Sequence, residues 1–137
     1  MTAKEYLGKL YYLESKISED KRRVERLKEQ AIKRTSNVSP DRVQSSGSQT
    51  KQADKVCEWV DLEREIAEDE AKVYEIISTI EMLKTYESAV LYHRYRYDKT
   101  LGEVSRDIGW SYSKVSKMHG SGLRRVQRIL DERKARD

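Results

Sequence analysis

Polar side chains that can hydrogen-bond to nucleic-acid bases follow one another closely after the pair Gly109-Trp110. A lysine can donate to the acceptors of guanine, a serine can pair with several bases, and a tyrosine ring can pack on the methyl group of thymine. Such a run of residue types predicts contacts with base edges in a DNA groove. The predicted base and groove contacts are Tyr112, Ser113, Lys114, Ser116 and Lys117.

A second group of side chains is of the kind that binds phosphate. Arginine and lysine neutralise phosphates, and a hydroxyl residue at a helix N-terminus adds further donors. Each arginine alone has the alternative interpretation of a solvated surface residue. One DNA duplex cannot contact all of these basic residues at once, so the prediction depends on their clustering and not on any single one. The predicted phosphate contacts are Arg94, Arg96, Lys99, Thr100, Arg106, Ser111, Arg124, Arg125 and Arg128.

Two short helices and a tight turn would present these side chains together. Thr100 begins a capping-box pattern, TLGE, which predicts a helix over 101–108. Gly109 is well placed to end that helix, because glycine enters the left-handed conformation without strain. Ser111 can cap the next helix, predicted from 112 to about 130.

Two helices joined by a glycine-containing turn are the signature of a helix-turn-helix motif. Ser105 supplies a small side chain where the two helices cross. Gly120 and Gly122 each cost about 1 kcal/mol relative to alanine inside a helix, so a bend, fraying or an end near 120 stays open as the alternative to a helix that continues to about 130. The structural turn and core of the motif are predicted to be Val104, Ile108, Gly109, Trp110, Val115 and Met118.

The N-terminal part, 1–85, contains two runs of apolar residues at alternating spacings of three and four. This heptad spacing predicts coiled-coil-like helices over about 3–33 and about 52–84. The stretch 35–50 between them is rich in serine and threonine and contains the only proline, which predicts a linker. The helices would fold back as an antiparallel hairpin, or bury their seams between chains of a homo-oligomer. The run YESAVLYHRYR then predicts a further helix at the start of a C-terminal domain over 86–137.

Each heptad seam has one acidic interruption, Asp20 in the first helix and Asp69 in the second. A hairpin would bring the two carboxylates within about one helical turn, which is costly unless they are solvated or paired with a base such as Lys16. We expect a solvated gap or a polar layer that sets the register. A metal-binding or catalytic carboxylate pair is the alternative, but no histidine or third acid lies at a suitable spacing.

The composition favours an elongated, all-α protein. Of 137 residues, 38% are charged and 36% hydrophobic, which leaves little apolar material for a large core. Basic side chains outnumber acidic ones in 1–53 and 86–137, whereas acidic ones dominate 54–85. No signal peptide is visible, and no apolar stretch approaches the roughly 18 residues of a membrane span. We therefore expect a soluble cytoplasmic protein without membrane contact.

Catalysis and metal binding have little support in the sequence. There is no Gly-rich phosphate loop and no nucleophile with a neighbouring base. His93, His119 and Cys57 are the only histidines and the only cysteine, so they provide neither a zinc set nor an internal disulfide. We expect no enzymatic activity, no metal and no cofactor.

The stretch KTLGEVSRDIGWSYSKVSKMHGSGLRRV (99–126) resembles the helix-turn-helix of the sigma-factor domain that reads the upstream promoter element. MTAKEYL at the start, SPDRVQSS (39–46) and VDLEREI (60–66) resemble a family of small prophage proteins from Gram-positive bacteria. The C-terminal part of that family is similar to the ArpU and RinA late-gene activators. This chain departs from the family's pattern at 120–123, where glycines occur, and at Ser105, where alanine is usual.

The resemblance implies a sequence-specific DNA-binding regulator that acts on late-gene promoters in the cytoplasm of a bacterial host. Its expected partners are double-stranded DNA and, through the helical hairpin, RNA polymerase or further copies of the chain. Two alternatives stay open at this point. One is a DNA-packaging protein like a small terminase subunit, and the other is a protein-interaction module with a degenerate helix-turn-helix.

Overall fold

The computed structural model describes residues 1–36 and 46–137, with side chains over 1–33 and 53–137. All elements within these residues are helical, which confirms the all-α class. The helices are α1 (Ala3–Ser36), α2 (Ser46–Glu81), α3 (Thr85–Leu91), a π-helical segment (Tyr92–Arg96), α4 (Leu101–Ile108) and α5 (Tyr112–Arg136). None of the described helices has the length and apolar composition that a membrane span requires.

The bounds of the long helices follow from their local chemistry. Helix α1 begins at a complete capping box, in which the Thr2 N–H donates to the Glu5 carboxylate at 3.1 Å and the Glu5 N–H donates to the Thr2 hydroxyl at 3.2 Å. Helix α2 begins at Ser46, so the predicted linker 35–50 is helical from that residue onward. Residues 37–45 of that linker lie outside the described residues.

The first of two compact units comprises Met1–Glu14 and Lys72–Asp137. Its main core contains the fully buried side chains of Leu7, Leu10, Ile80 and Leu91. Full burial of a leucine or isoleucine side chain contributes about 1.5–3 kcal/mol. Because the start of α1 and the end of α2 share this core with α3 and α5, the unit does not coincide with the predicted domain boundary at 85/86.

The second unit comprises Ser15–Ala71, and side chains of its α1 segment pair with side chains of its α2 segment. Near the start of the α1 segment, Lys16 Nζ donates to Asp69 Oδ2 at 2.9 Å, whereas near its end Gln30 accepts from Lys55 Nζ at 2.9 Å. Further ion pairs join Lys21 to Glu70, Arg23 to Glu58 and Lys28 to Glu63. The apolar seam residues Ile17, Val24, Leu27, Ala31 and Ile66 are buried.

The acidic interruptions of the seams have different surroundings. Asp69 is only 5% exposed, and its hydrogen bond raises the pKa of Lys16, aided by the charges of Asp69, Glu65 and Asp20. One carboxylate oxygen of Asp20 is buried and accepts no hydrogen bond from the described residues. Asp69 therefore has the predicted pairing with Lys16. Among the described residues, no group of three potential metal ligands occurs near either carboxylate or elsewhere.

The helix predicted over 86–96 is interrupted in its second half. It is α-helical only to Leu91 and then widens to the π-helical segment, where the Tyr97 N–H donates to the Tyr92 carbonyl at 3.3 Å. The segment ends at Arg96, and Asp98 follows two residues later with a φ of 53°. The wider turn leaves Tyr95 buried against the main core.

Candidate nucleic-acid interface

Helices α4 and α5 and the turn between them follow the predicted cap chemistry. The Thr100 hydroxyl accepts from the Glu103 N–H at 3.2 Å, and α4 covers Leu101–Ile108 as predicted. Gly109 has φ 82° and ψ 23°, a left-handed conformation that suits glycine. The Ser111 hydroxyl then accepts from the Lys114 N–H at 3.2 Å and starts α5.

A small apolar cluster lies beneath the turn. Val90, Val104 and Val115 are fully buried in it. The partly buried side chains of Leu101, Ile108, Trp110 and Met118 pack against these valines. Ser105 also acts there, because its hydroxyl donates to the carbonyl of Trp110 and so links α4 to the residue before the cap of α5. The residues predicted to form the core of the motif therefore lie together.

The first turns of α5 expose all of the predicted base contacts. Its inward side consists of Val115, Gly122 and Val126, which are buried. The opposite side is polar, and the helical spacing places Ser113, Lys117, Arg124 and Arg128 along one exposed face. The exposed predicted base contacts are Tyr112, Ser113, Lys114, Ser116 and Lys117.

Lys114 already has an aromatic partner within the chain. Its Nζ lies 4.3 Å from the ring centroid of Trp110 and 5.5 Å from that of Tyr86, within the range of cation–π attraction. The two rings meet edge to face, with their centroids 5.3 Å apart. A base contact by Lys114 would therefore compete with these rings, whereas Lys117 forms no ion pair among the described residues. Tyr86 lies well before α4 in the chain, and nothing in its sequence neighbourhood indicates this role.

Several predicted phosphate contacts form ion pairs inside the first unit. Arg96 Nε lies 3.1 Å from Glu14 Oε1, and Lys99 pairs with Asp107. The hydrogen bond from Lys99 lowers the pKa of the Asp107 carboxyl. Arg94 donates to the Lys99 carbonyl at 3.4 Å, and its guanidinium lies 4.0 Å from Asp98. These side chains help to hold the loop before α4 in place.

Glu87 is a buried polar residue that the sequence did not indicate. It is 4% exposed, accepts from the Ser121 hydroxyl at 2.8 Å and lies 3.2 Å from Arg125 Nε. Arg125 thus connects α5 to α3, so replacing it would disturb the packing of these helices as well as any contact with DNA phosphate. Arg106, Arg124 and Arg128 are exposed and form no ion pair within the described part of the chain, so they are free to meet a phosphate.

The two glycines of α5 do not interrupt it, since the helix runs unbroken from Tyr112 to Arg136. A Cβ atom at position 122 would lie 3.1 Å from Leu91 Cδ1, which is tighter than nine in ten real Cβ contacts. Gly122 therefore allows α3 and α5 to approach closely. At position 120 the nearest atom to a Cβ would be Arg124 Nη1, at 3.9 Å, so that glycine has no comparable packing reason.

We compared the chain with models of protein families, with curated proteins and with solved structures, and none of them matches it.

Proposed function

We propose that this chain is a sequence-specific, double-stranded DNA-binding protein of phage or prophage origin that regulates transcription at late-gene promoters. In this proposal α4, the turn at Gly109 and α5 serve as a helix-turn-helix motif, and α5 enters the major groove. Helices α1 and α2 act as an antiparallel hairpin that associates with RNA polymerase or with further copies of the chain. The protein acts in the bacterial cytoplasm, and neither an enzymatic reaction nor a cofactor is involved.

One observation carries the DNA-binding part of the proposal. The N-terminal turns of α5 expose five polar or basic side chains, and a buried cluster fixes the other side of the same helix to α4. Recognition helices contact bases through their N-terminal residues while the preceding helix crosses the backbone. Lys117, Arg124 and Arg128 extend this polar face over about 17 Å of the helix axis. The regulatory part depends on the resemblance of 99–126 to the promoter-reading sigma-factor domain.

Binding to duplex DNA at increasing salt tests the DNA-binding part. If about six phosphates are neutralised, the affinity should fall about 10³-fold between 50 and 200 mM salt. Lys117→Ala should reduce the discrimination between target and random DNA, whereas Arg128→Ala should weaken binding to both alike. Lys72→Ala, at an exposed position on α2, is the matched control and should bind as the wild type does.

Genome-wide recovery of DNA with the tagged protein in its host separates the proposal from its alternatives. Enrichment at a promoter supports the regulator. Enrichment at a packaging site would instead indicate a DNA-packaging protein like a small terminase subunit. Such a protein should also form a ring of defined size, which a measurement of its mass in solution would detect. A flat profile would favour a protein-interaction module.

A further inference from the structure

A groove of about 640 Å³ lies in the first unit beside the proposed helix-turn-helix. One wall comes from the exposed face of α1, and the others come from the loop before α4 and from the first residues of α4 and α5. The lining of the groove includes Lys4, Tyr11, Tyr12, Arg94, Thr100 and Tyr112. Thr100 and Tyr112 belong to the predicted DNA contacts, so the groove is continuous with that surface.

The chemistry of the groove suits a phosphodiester. Tyr11, Tyr12 and Tyr112 are 48%, 66% and 58% exposed, so their hydroxyl groups are accessible. Tyrosine hydroxyls and lysine ammonium groups are regular donors to the phosphate and sugar of DNA. Exposed tyrosines on two successive positions of α1 are otherwise unexplained, because the seam of that helix is formed by Leu10 and Leu13.

The charges around the groove are positive in sum. Lys4 and Arg94 are cationic, and the Asp98 carboxylate, 4.0 Å from Arg94, offsets one of them. His119 shares the groove and lies 2.9 Å from the Tyr95 hydroxyl through Nε2. Burial lowers the pKa of His119, and the charges of Arg94 and Lys4 lower it further, so its imidazole takes up a proton less readily than an exposed histidine does. Arg94 thus has an acidic neighbour in the groove, whereas Lys4 forms no ion pair with any acidic residue of the groove.

We propose that the first turns of α1 extend the DNA interface, with Lys4, Tyr11 and Tyr12 binding the sugar–phosphate backbone of a strand that enters this groove. The inference rests on the proposed function, since it needs the N-terminal ends of α4 and α5 to face DNA. The backbone of a duplex is the chosen occupant because the groove opens onto those two ends. A free phosphate would use the same donors, and the experiment has to separate the two sources.

The experiment measures the affinity of the full chain for a mixed-sequence duplex of about 20 base pairs over a range of salt concentrations, because phosphate contacts do not depend on sequence. Lys4→Gln should weaken binding about fivefold and lower the slope of log affinity against log salt by about 0.9, the value for one phosphate. The double variant Tyr11→Phe with Tyr12→Phe, which keeps both rings, should weaken binding about threefold with an unchanged slope.

The matched controls lie outside the groove. Lys9→Gln removes an exposed lysine from another side of α1, and Tyr74→Phe removes a hydroxyl from a tyrosine that is 74% exposed on α2. Both should bind DNA as the wild type does. Circular dichroism of each variant confirms that the helices are intact.

Two results would overturn the inference while leaving the proposed function in place. One is wild-type affinity and slope for both the Lys4 and the tyrosine variants, given a wild-type protein that binds duplex DNA. The other is a site for free phosphate, shown when inorganic phosphate alone shifts the amide resonances of Tyr11 and Tyr12 to saturation and the variants lose only that response. If the wild-type protein does not bind DNA at all, the proposed function fails first.

Discussion

The two compact units are both helical and both contain ion pairs, but the fully buried side chains of the described residues all lie in the first unit. In Ser15–Ala71 the seam residues keep 5–8% of their exposure, and ion pairs between largely exposed partners surround them. In the unit made of Met1–Glu14 and Lys72–Asp137, Leu7, Leu10 and Leu91 are at 0%. Exposed ion pairs contribute little and are screened by salt, whereas a close-packed core holds its elements rigidly. The unit that contains α5 is therefore the one built to keep a helix in a fixed position.

The largest difference between the units should appear when a core leucine is truncated. Leu91→Ala should lower the free energy of unfolding by about 4 kcal/mol, because it leaves a cavity beside Gly122 in a fully buried site. Leu27→Ala, in the other unit and 8% exposed, should cost about 2 kcal/mol. Denaturation with urea measures both, and an equal loss would contradict the distinction between the units.

A buried carboxylate and an exposed one provide the second test. Glu87→Ala should destabilise the protein by about 2 kcal/mol, because Ser121 and Arg125 lose the partner that joins α3 to α5. Glu63→Ala, which breaks the exposed pair with Lys28, should change the unfolding free energy hardly at all. Comparable losses in thermal unfolding would show that the ion pairs of the second unit matter more than their exposure suggests.

Two glycines of the first unit separate backbone effects from packing. Gly109→Ala should cost about 1 kcal/mol, because alanine is strained at a φ of 82°. Gly8→Ala should stabilise the protein by a similar amount, about 1 kcal/mol, since α1 is helical there and a Cβ would meet nothing within 4 Å. Chemical denaturation measures both, and a loss at position 8 would mean that the groove beside it needs a glycine.

The smallest effect concerns pH and the first unit alone. His119 has a pKa below its ordinary value of 6.5, so the folded protein binds a proton there less readily than the unfolded chain does. Stability should therefore fall as the pH drops below about 6.5 towards the folded-state pKa. His119→Gln keeps an acceptor for the Tyr95 hydroxyl but cannot take up a proton in this pH range. The variant should therefore lose the contribution of His119 to the pH dependence of stability. Melting temperatures at about pH 7.5 and about pH 5.5, on either side of the ordinary histidine pKa, measure the difference. An unchanged pH profile would contradict the role of burial.

The turn of the proposed motif was predictable because its chemistry is local. Thr100, Gly109 and Ser111 are caps or a left-handed stop, and each acts on backbone groups within a few residues. The bounds of α4 and the start of α5 follow from these residues alone. The heptad seams were predictable for the same reason, since the spacing of apolar residues is visible without any tertiary contact.

The features that the sequence did not predict depend on packing between distant segments. Glu87 and Gly122 acquire their roles only when α3 and α5 meet, so neither the acid nor the glycine could be interpreted from its neighbours. The prediction of Lys114 as a base contact follows from its residue type and position in the helix, which do not reveal the rings of Tyr86 and Trp110 beside it. Helix α5 continues through Gly120 and Gly122 and past its predicted end near 130, because the cost of two glycines is small against the contacts that α5 makes along its length.

The most direct measurement of the central claim is a map of amide chemical shifts while a duplex is titrated into the isotope-labelled protein, whose mass is 16.1 kDa. The shifts should concentrate at 112–117 and at the exposed arginines Arg124 and Arg128. The amide resonances of α2 between 60 and 70 should stay unchanged. Shifts confined to that acidic part of α2, or no shifts at low salt, would contradict DNA binding through α5.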